Sequence, residues 1–450
     1  MEEGENQENL KRTLGFFPAL STVMGLVIGG GVFFKISSVT QATGSASLTI
    51  WVWVLAGFVT IMAGLTVAEL AAALPVAGGI FKYIEHIYGK IPAFLLAWAQ
   101  SVVYYPAAIS ALSIVFATQV INLWGLSASL QIPIAIAVAV FIFACNLLGA
   151  KVGGGIQSVA FIAKLIPIVL IIGVGLFTPS TNNVSLFPVT AGSHPSFWTS
   201  LGGGYVATMF AFDGWMNVGN MAGEMKHPEK DLAKSIIIGL LGITLIYVLI
   251  SFVFVKELPF GSIPGNQNAA SEAAIKIFGG FGGKLVTIGI LVSVFGSING
   301  YSMTGMRVSY ALGEDDNIVF AKFFGKLTKK SRVPMNAGIV QTVIAIIMVF
   351  LGSFDYLTDM LVFVMWIFSI MMFVGVFILR KREPDLKRPY KINFYPIPPI
   401  LAIIGGGYIV VYTIITQPTL ALLGILLTLV GLPLYLIHDH NKKKLKKETE

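Results

Sequence analysis

Two short stretches of this chain have the composition to bind a small polar solute from within an apolar environment. The first, Gly25-Leu-Val-Ile-Gly-Gly-Gly-Val-Phe33, sets three consecutive glycines at the centre of a hydrophobic segment, Leu14 to Val39. The second, Phe210-Ala-Phe-Asp-Gly-Trp-Met-Asn217, sets an Asp-Gly breaker inside another. Glycine costs a helix interior about 1 kcal/mol relative to alanine. Both stretches therefore invite a helix to open and to free N–H and C=O groups that lipid cannot satisfy, a condition tolerated only where the backbone is packed in protein or lines a cavity. A third group with chemistry is Lys164, in Phe161-Ile-Ala-Lys-Leu-Ile-Pro167. Each has a plainer reading: close helix packing through small residues for the glycines, capping of a half-helix for Asp213, and a fixed ion pair, with Asp213 as one candidate partner, for Lys164.

The elements that must position these groups follow from composition. Of 450 residues, 56% are hydrophobic and only 12% charged, with a mean hydropathy of +0.82. Soluble domains carry about 25% charged residues, so this is an all-α integral membrane protein. The acidic start, Met1-Glu-Glu-Gly-Glu5, has no cleavable signal peptide's pattern behind it. The single cysteine, Cys145, excludes an internal disulfide and a cysteine metal cluster. A net charge of +8 is spread over short loops, so no face is available for nucleic acid.

A span needs about 20 apolar residues, and by that measure there are about twelve. They cover 14–38, 47–72, 89–118, 131–148, 154–177, 198–222, 234–255, 284–311, 335–352, 356–379, 397–416 and 420–437. Gly153-Gly-Gly155 lacks the Lys-Ser/Thr of a phosphate loop and reads as a flexible junction. One set of alternate connections is basic: Lys11 and Arg12; Lys82 and Lys90; Lys151; Lys226, Lys230 and Lys234; Lys322 to Arg332; Arg380 to Lys391; Lys442 to Lys447. The opposite set has Lys35 at one helix end and Lys256, Lys276 and Lys284 in one longer loop. The positive-inside bias then predicts a multi-pass protein of the plasma (inner) membrane with both termini cytoplasmic. Residues 180–197 read as an exterior loop, 256–283 as another carrying a short helix from Ala269 to Phe278, and Asn441 to Glu450 as a solvated tail.

The two breaks fall in spans one and six, five spans apart and so oppositely directed. Interrupted helices at matching positions of inverted repeats point to a transporter whose substrate sits between them at the midplane. The organisation that follows is a cytoplasmic segment 1–13, a first five-helix repeat 14–177, an extracellular loop 178–197, an inverted second repeat 198–379, two accessory helices 397–437 and a tail 438–450. Each interruption presents free N–H groups and a positive dipole end on one side and free carbonyls on the other. That suits a zwitterionic α-amino acid. The substrate-binding candidates are Val27, Ile28, Gly29, Gly30, Gly31, Phe210, Ala211, Phe212, Asp213 and Gly214. The amides of Gly29 to Gly31 take the carboxylate; carbonyls near Val27 and of Phe210, Ala211 and Asp213 take the ammonium. Phe210 and Trp215 form an aromatic gate. Lys164 falls about 15 Å deep at about 1.5 Å per residue, the midplane of a core about 30 Å thick. A lysine there is costly and needs internal partners, for which the carbonyl end of the first half-helix and the hydroxyls of Ser293 and Ser297 are candidates. Its ammonium would then occupy the place of a coupling sodium, or carry a coupled proton.

Three motifs carry a family resemblance: Ile28-Gly-Gly-Gly-Val-Phe33; Ala68-Glu-Leu-Ala71 with Pro75-Val-Ala-Gly-Gly-Ile-Phe-Lys-Tyr83 and Tyr88-Gly89; and Phe210-Ala-Phe-Asp-Gly-Trp215 with Gly223-Glu-Met-Lys-His-Pro-Glu-Lys230. In these the chain resembles the amino acid–polyamine–organocation superfamily, and within it bacterial members of the L-type amino acid transporter family such as serine/threonine and alanine/serine/cysteine exchangers. The resemblance implies a five-plus-five inverted repeat with two added helices, alternating access, and sodium-independent exchange of small neutral L-amino acids with no cofactor. It maps the family's substrate loops onto Val27 to Gly31 and Phe210 to Gly214, its gating aromatic onto Phe210 and its fifth-span lysine onto Lys164. The family commonly has Ser where Gly30 stands, so more of the carboxylate contact falls on backbone here. Its animal branch joins an accessory glycoprotein through a Cys between spans three and four; Thr118 to Leu130 contains none, so no disulfide-linked subunit is expected. The alternatives are a proton-coupled symporter or facilitator using Lys164, and an enzyme or channel. Against the last, the spans hold no His/Glu metal cluster, nucleophile–base pair, carboxylate dyad or filter repeat.

Overall fold

The computed structural model describes residues 15–74, 79–180, 182–215, 225–314 and 321–449. Lys11, Arg12, Pro75 to Gly78 and the stretch Met216 to Glu224 lie outside the described residues. The helices are α1 (Phe16–Val27), α2 (Gly31–Thr43), α3 (Ala46–Ala73), α4 (Gly79–Tyr88), α5 (Lys90–Ala99), α6 (Tyr105–Trp124), α7 (Gln131–Leu147), α8 (Ala150–Gly175), α9 (Phe197–Met209), α10 (Pro228–Glu257), α11 (Ala269–Glu314), α12 (Ala321–Phe324), α13 (Met335–Leu351), α14 (Phe354–Arg382), α15 (Ile397–Thr416), α16 (Pro418–Leu429) and α17 (Gly431–Thr449). Nine of the described helical stretches are long and apolar enough to cross a membrane. The shorter α13, the interrupted α1–α2 pair and α9 bring the spans to twelve.

The first span is two helices, parted at the glycine run where the sequence predicts a break. Other sequence readings change in detail. Gly153 to Gly155 lie inside α8, where the membrane and packing favour continued helical bonding over a junction. The exterior helix at Ala269 joins the eighth span, with a sharp corner at Gly279 (φ 74°) that only glycine adopts cheaply. The C-terminal tail continues as helix to Thr449.

The packing repeats itself under a shift of five spans. The first span meets the sixth (α2–α9), the second the seventh (α3–α10), the third the eighth (α6–α11) and the fourth the ninth (α7–α13). Cross contacts come in matching pairs as well: α1–α10 with α9–α3, α8–α11 with α14–α6, and α6–α7 with α11–α13. Such reciprocity is the signature of an inverted repeat, and α15 and α16 pack outside it against α14.

Closeness at the centre depends on small residues. Ideal Cβ atoms built on α11 at Gly289, Gly296 and Gly300 would lie 3.3 Å from Pro167, 2.2 Å from Ala160 and 3.3 Å from Gln157. These α8 residues share one helix face, so α8 seats in a groove of α11. Van der Waals fit of this kind holds helices together where lipid supplies no hydrophobic drive.

The face bearing the start of α1, here the N-terminal face, is fastened by charge. Buried Glu69 of α3 accepts from Arg380 Nε at 2.7 Å and Nη2 at 2.5 Å and from the Ile392 amide at 2.8 Å. Beside it, Glu383 accepts from His86 Nε2 at 3.0 Å, and the hydrogen bond with His86, followed by Arg382, holds this carboxyl below the usual glutamate range. These ties bind the ends of α3, α4 and α14 together.

The groove makes a testable demand. Gly296→Val should lower the thermal midpoint of the detergent-solubilised protein, because overpacking costs about 1–3 kcal/mol. Gly407→Ala, inside α15 where a built Cβ meets nothing within 4 Å, should not lower it; melting curves of the two variants check this.

Candidate functional site

The first interruption is built by glycine. α1 closes with the Ile28 amide donating to Met24 O at 2.9 Å, after which Ile28 turns extended (ψ 102°). α2 opens with Phe33 N donating to Gly30 O at 3.1 Å. The amides that begin α2 have no helical carbonyl one turn earlier. In the second interruption, Ala211 N donates to Thr208 O at 3.0 Å and Asp213 N to Phe210 O at 3.2 Å, and Gly214 has φ 101°. The two breaks touch backbone to backbone: a Cβ on Gly31 would lie 2.8 Å from Ala211 Cα. Tyr247 of α10 fastens them, its hydroxyl 3.1 Å from Val27 O and 2.8 Å from Ala211 O with its one proton shared between them.

Between the breaks lies a cavity of about 220 Å³, sized for a small solute rather than the drug-sized ligands of pockets of about 300–1,000 Å³. Of the sequence candidates, Val27, Ile28, Gly29, Gly30, Gly31, Phe210, Ala211, Asp213, Gly214, Lys164 and Ser297 line it together. Three do not. The Phe212 ring turns away and packs against Trp53 and Tyr247 at 6.1 and 5.1 Å between centroids. Trp215 is buried on the α3 side, near the position a Cβ of Gly64 would take, so it is no part of the cavity's cover. Both follow from one fact: a turn replaces helix over 210–215 and redirects successive side chains. Ser293 Oγ, one turn from Ser297, is buried without a hydrogen-bond partner, so it does not hold Lys164.

Lys164 Nζ donates to Gly25 O at 2.6 Å. That carbonyl belongs to the last turn of α1, where the bond that Gly29 would have supplied is lost to the break, so the ammonium meets both a free acceptor and a negative dipole end. Ser297 donates to Ser293 O at 3.1 Å, and its Oγ would lie 3.3 Å from a Cβ on Gly29.

Asp213 is held by tyrosines. Its carboxylate accepts from Tyr104 and, at 2.9 Å, from Tyr301, and Gly214 adds a backbone hydrogen bond. Tyr104 ends a five-residue π-helical stretch, Gln100–Tyr104, between α5 and α6; such bulges re-aim side chains at functional sites. This joins the second break to α6 and α11.

Toward the opposite face, Lys35 of α2 is fully buried and pairs with Asp355 at 2.9 Å and Asp359 at 3.3 Å, both on α14. Its Nζ stands 5.2 Å from the Phe354 ring centroid and 6.0 Å from that of Phe210, and Phe210 meets Phe354 edge-on at 5.7 Å. The cover over the cavity is therefore Phe210, backed by Phe354 and by an ion-paired group whose lysine is buried and whose Asp355 reaches the surface.

Sequence reasoning passed over Tyr104, Tyr301, Tyr247, Gln157, Asp355 and Asp359. One signal was readable: a lysine on an apolar helix demands a carboxylate, and Asp355 and Asp359 share a helix face behind Gly352-Ser353. The tyrosines sit in ordinary apolar runs, where nothing marks them.

A family model described as "Amino acid permease" matches residues 14–432. The serine/threonine exchanger SteT of Bacillus subtilis is 38% identical over 427 residues, covering 95% of this chain and 96% of that protein. The Asc-type amino acid transporter 1 of mouse is 27% identical over 445 residues, 95% of this chain and 81% of its own. The human cystine/glutamate transporter is 26% identical over 436 residues, 96% and 86% of the two chains.

The fastening of the breaks yields a prediction. Tyr247→Phe removes the hydroxyl from two buried carbonyls, a loss of about 1–3 kcal/mol. The variant should fold, yet its initial rate of amino acid uptake into proteoliposomes should fall by about ten-fold or more; a rate equal to the parent's would mean that Tyr247 does not maintain the site.

Proposed function

We propose, from the premise that this chain belongs to the amino acid permease family, that it exchanges small neutral L-amino acids across the plasma membrane by alternating access and without sodium. One observation carries this reading: two interrupted helices face each other across a cavity of about 220 Å³ whose walls are opened backbone. The similarity to a serine/threonine exchanger over 95% of the chain favours serine and threonine as substrates.

In this reading the α-carboxylate lies against the amides of Gly29 to Gly31. The ammonium lies against Val27, Phe210 and Ala211 carbonyls, each of which keeps a second lone pair beside its present partner. Lys164 stabilises the end of α1 with a covalently attached cation, which removes the need for sodium there. Opening toward the opposite face separates α2 from α14 and breaks the Lys35–Asp355–Asp359 group. Opening toward the N-terminal face loosens the Tyr104–Asp213–Tyr301 group. The Lys/Arg bias supports a cytoplasmic N-terminal face with both termini, and the cysteine-free connection Thr118 to Leu130 supports function without a disulfide-linked subunit. A second reading, proton-coupled symport or facilitation with Lys164 as carrier, has in its favour that this side chain lines the cavity.

Proteoliposomes separate the two. Uptake of labelled serine should rise strongly when unlabelled serine is inside and should ignore a pH gradient; uptake that follows the proton gradient and ignores internal serine would reverse the assignment. Lys164→Ala should bind serine, since the recognising amides remain, and turn over more slowly; loss of binding in a folded protein would give the lysine a direct role. Gly30→Leu, whose Cβ alone would sit 3.1 Å from Leu112 and 3.3 Å from Val294, should abolish uptake.

A further inference from the structure

A chain of carboxamides runs from the protein interior to the cavity wall. Asn146 of α7 donates through Nδ2 to Ile142 O at 3.0 Å and to Asn299 Oδ1 at 3.0 Å. Asn299 of α11 donates through Nδ2 to Gly153 O at 3.0 Å and to Gln157 Oε1 at 3.4 Å. Asn299 is fully buried and Asn146 is 4% exposed, whereas Gln157 of α8 lines the cavity.

The polarity of this chain is fixed by the backbone. Ile142 O and Gly153 O can only accept, so each asparagine must turn its NH2 group to them. A primary amide has two N–H donors, and each asparagine has one left for the next oxygen in line. The orientation of an amide follows from such a network; here the network assigns the oxygen of Gln157 to Asn299. The nitrogen of Gln157, with its donors, is what remains for the cavity. Gly300 provides the seat: a Cβ there would come within 3.3 Å of Gln157 Oε1 and 3.4 Å of Nε2. Gln157 also lies two helical turns from Lys164, on the same face of α8, so it stands along the cavity from the amides of Gly29 to Gly31 near which Lys164 is anchored.

We propose that Gln157 reads the substrate's side chain, presenting N–H donors that favour an oxygen-bearing side chain over a hydrocarbon of the same shape, with Asn299 as its positioning residue. This rests on the reading of the cavity as an amino acid site. A solute lacking the acceptor would set hydrocarbon against those donors in place of a hydrogen-bonding partner, and a site built to bond a hydroxyl discriminates against the analogue without one.

The test uses isosteric pairs, with labelled alanine as a common tracer in alanine-loaded proteoliposomes. Serine should compete about five-fold better than 2-aminobutyrate, and threonine better than valine by a similar factor, the equivalent of one hydrogen bond. Gln157→Met, close in shape but without donors, should bring both ratios to about one. Asn299→Leu should lower them as well by freeing the amide, while Gln157→Asn, if Gln157→Met does not reach the membrane, should reduce them by retracting the donors. Equal competition by serine and 2-aminobutyrate in the parent, or ratios unchanged in a folded Gln157 variant, would overturn the assignment of Gln157. Absence of alanine uptake by the parent protein would instead remove the exchanger reading on which it rests.

Discussion

The structure depends on one constraint: backbone opened at bilayer depth must find its hydrogen bonds inside the protein. Lipid has nothing to offer it, so it is tolerated only where it packs in protein or lines a cavity. Two helices are opened here, and the groups around them are arranged to meet that demand. Lys164 takes Gly25 O, Tyr247 takes Val27 O and Ala211 O, and turn hydrogen bonds hold Phe210 to Asp213. What these partners leave over, chiefly the amides that begin α2, is the receptor we propose. In that proposal the site is a deficit in hydrogen bonding, held in place by a costly lysine and a buried phenol and completed by a solute that carries both charges.

That arrangement also gives a reason for the charged and phenolic groups that stand on the two sides of the cavity. The Lys35 group joins α2 to α14, and the Tyr104–Asp213–Tyr301 group joins the second break to α6 and α11. Buried ion pairs and charge-assisted hydrogen bonds are poor sources of net stability, since desolvation consumes most of the attraction. They are well suited to contacts that must break and re-form, because a hydrated ion pair and a buried one differ little in free energy. By contrast, α8 and α11 meet through Gly289, Gly296 and Gly300 in shape-fitted contact, which suits helices that stay together.

Much of this was legible in the sequence, for physical reasons. A run of three glycines, an Asp-Gly pair in a span and a lysine about 15 Å deep are each expensive in lipid, so each reports on its surroundings, and the twelve spans and the reversed orientation of the two breaks follow from hydropathy and counting. Side-chain direction across a break was not legible. The sequence reading counted Phe212 among the substrate residues and Trp215 in the gate, but the turn over 210–215 sends them to Trp53, Tyr247 and the α3 side. Partners from distant spans were also beyond reach: tyrosine is common in membrane helices, and nothing local separates Tyr104, Tyr247 and Tyr301 from the other tyrosines. Ser293 illustrates the converse error, since the right helix face and a plausible hydroxyl do not make a bond.

The central claim is that unpaired backbone recognises the two charges of an α-amino acid. Calorimetric titration of the purified protein with L-serine, its methyl ester and its N-acetyl derivative tests this most directly, because the side chain is constant while one charge at a time is removed. Binding of serine with loss of both derivatives is the predicted result. Binding of the ester or the N-acetyl compound as tightly as serine itself would contradict it.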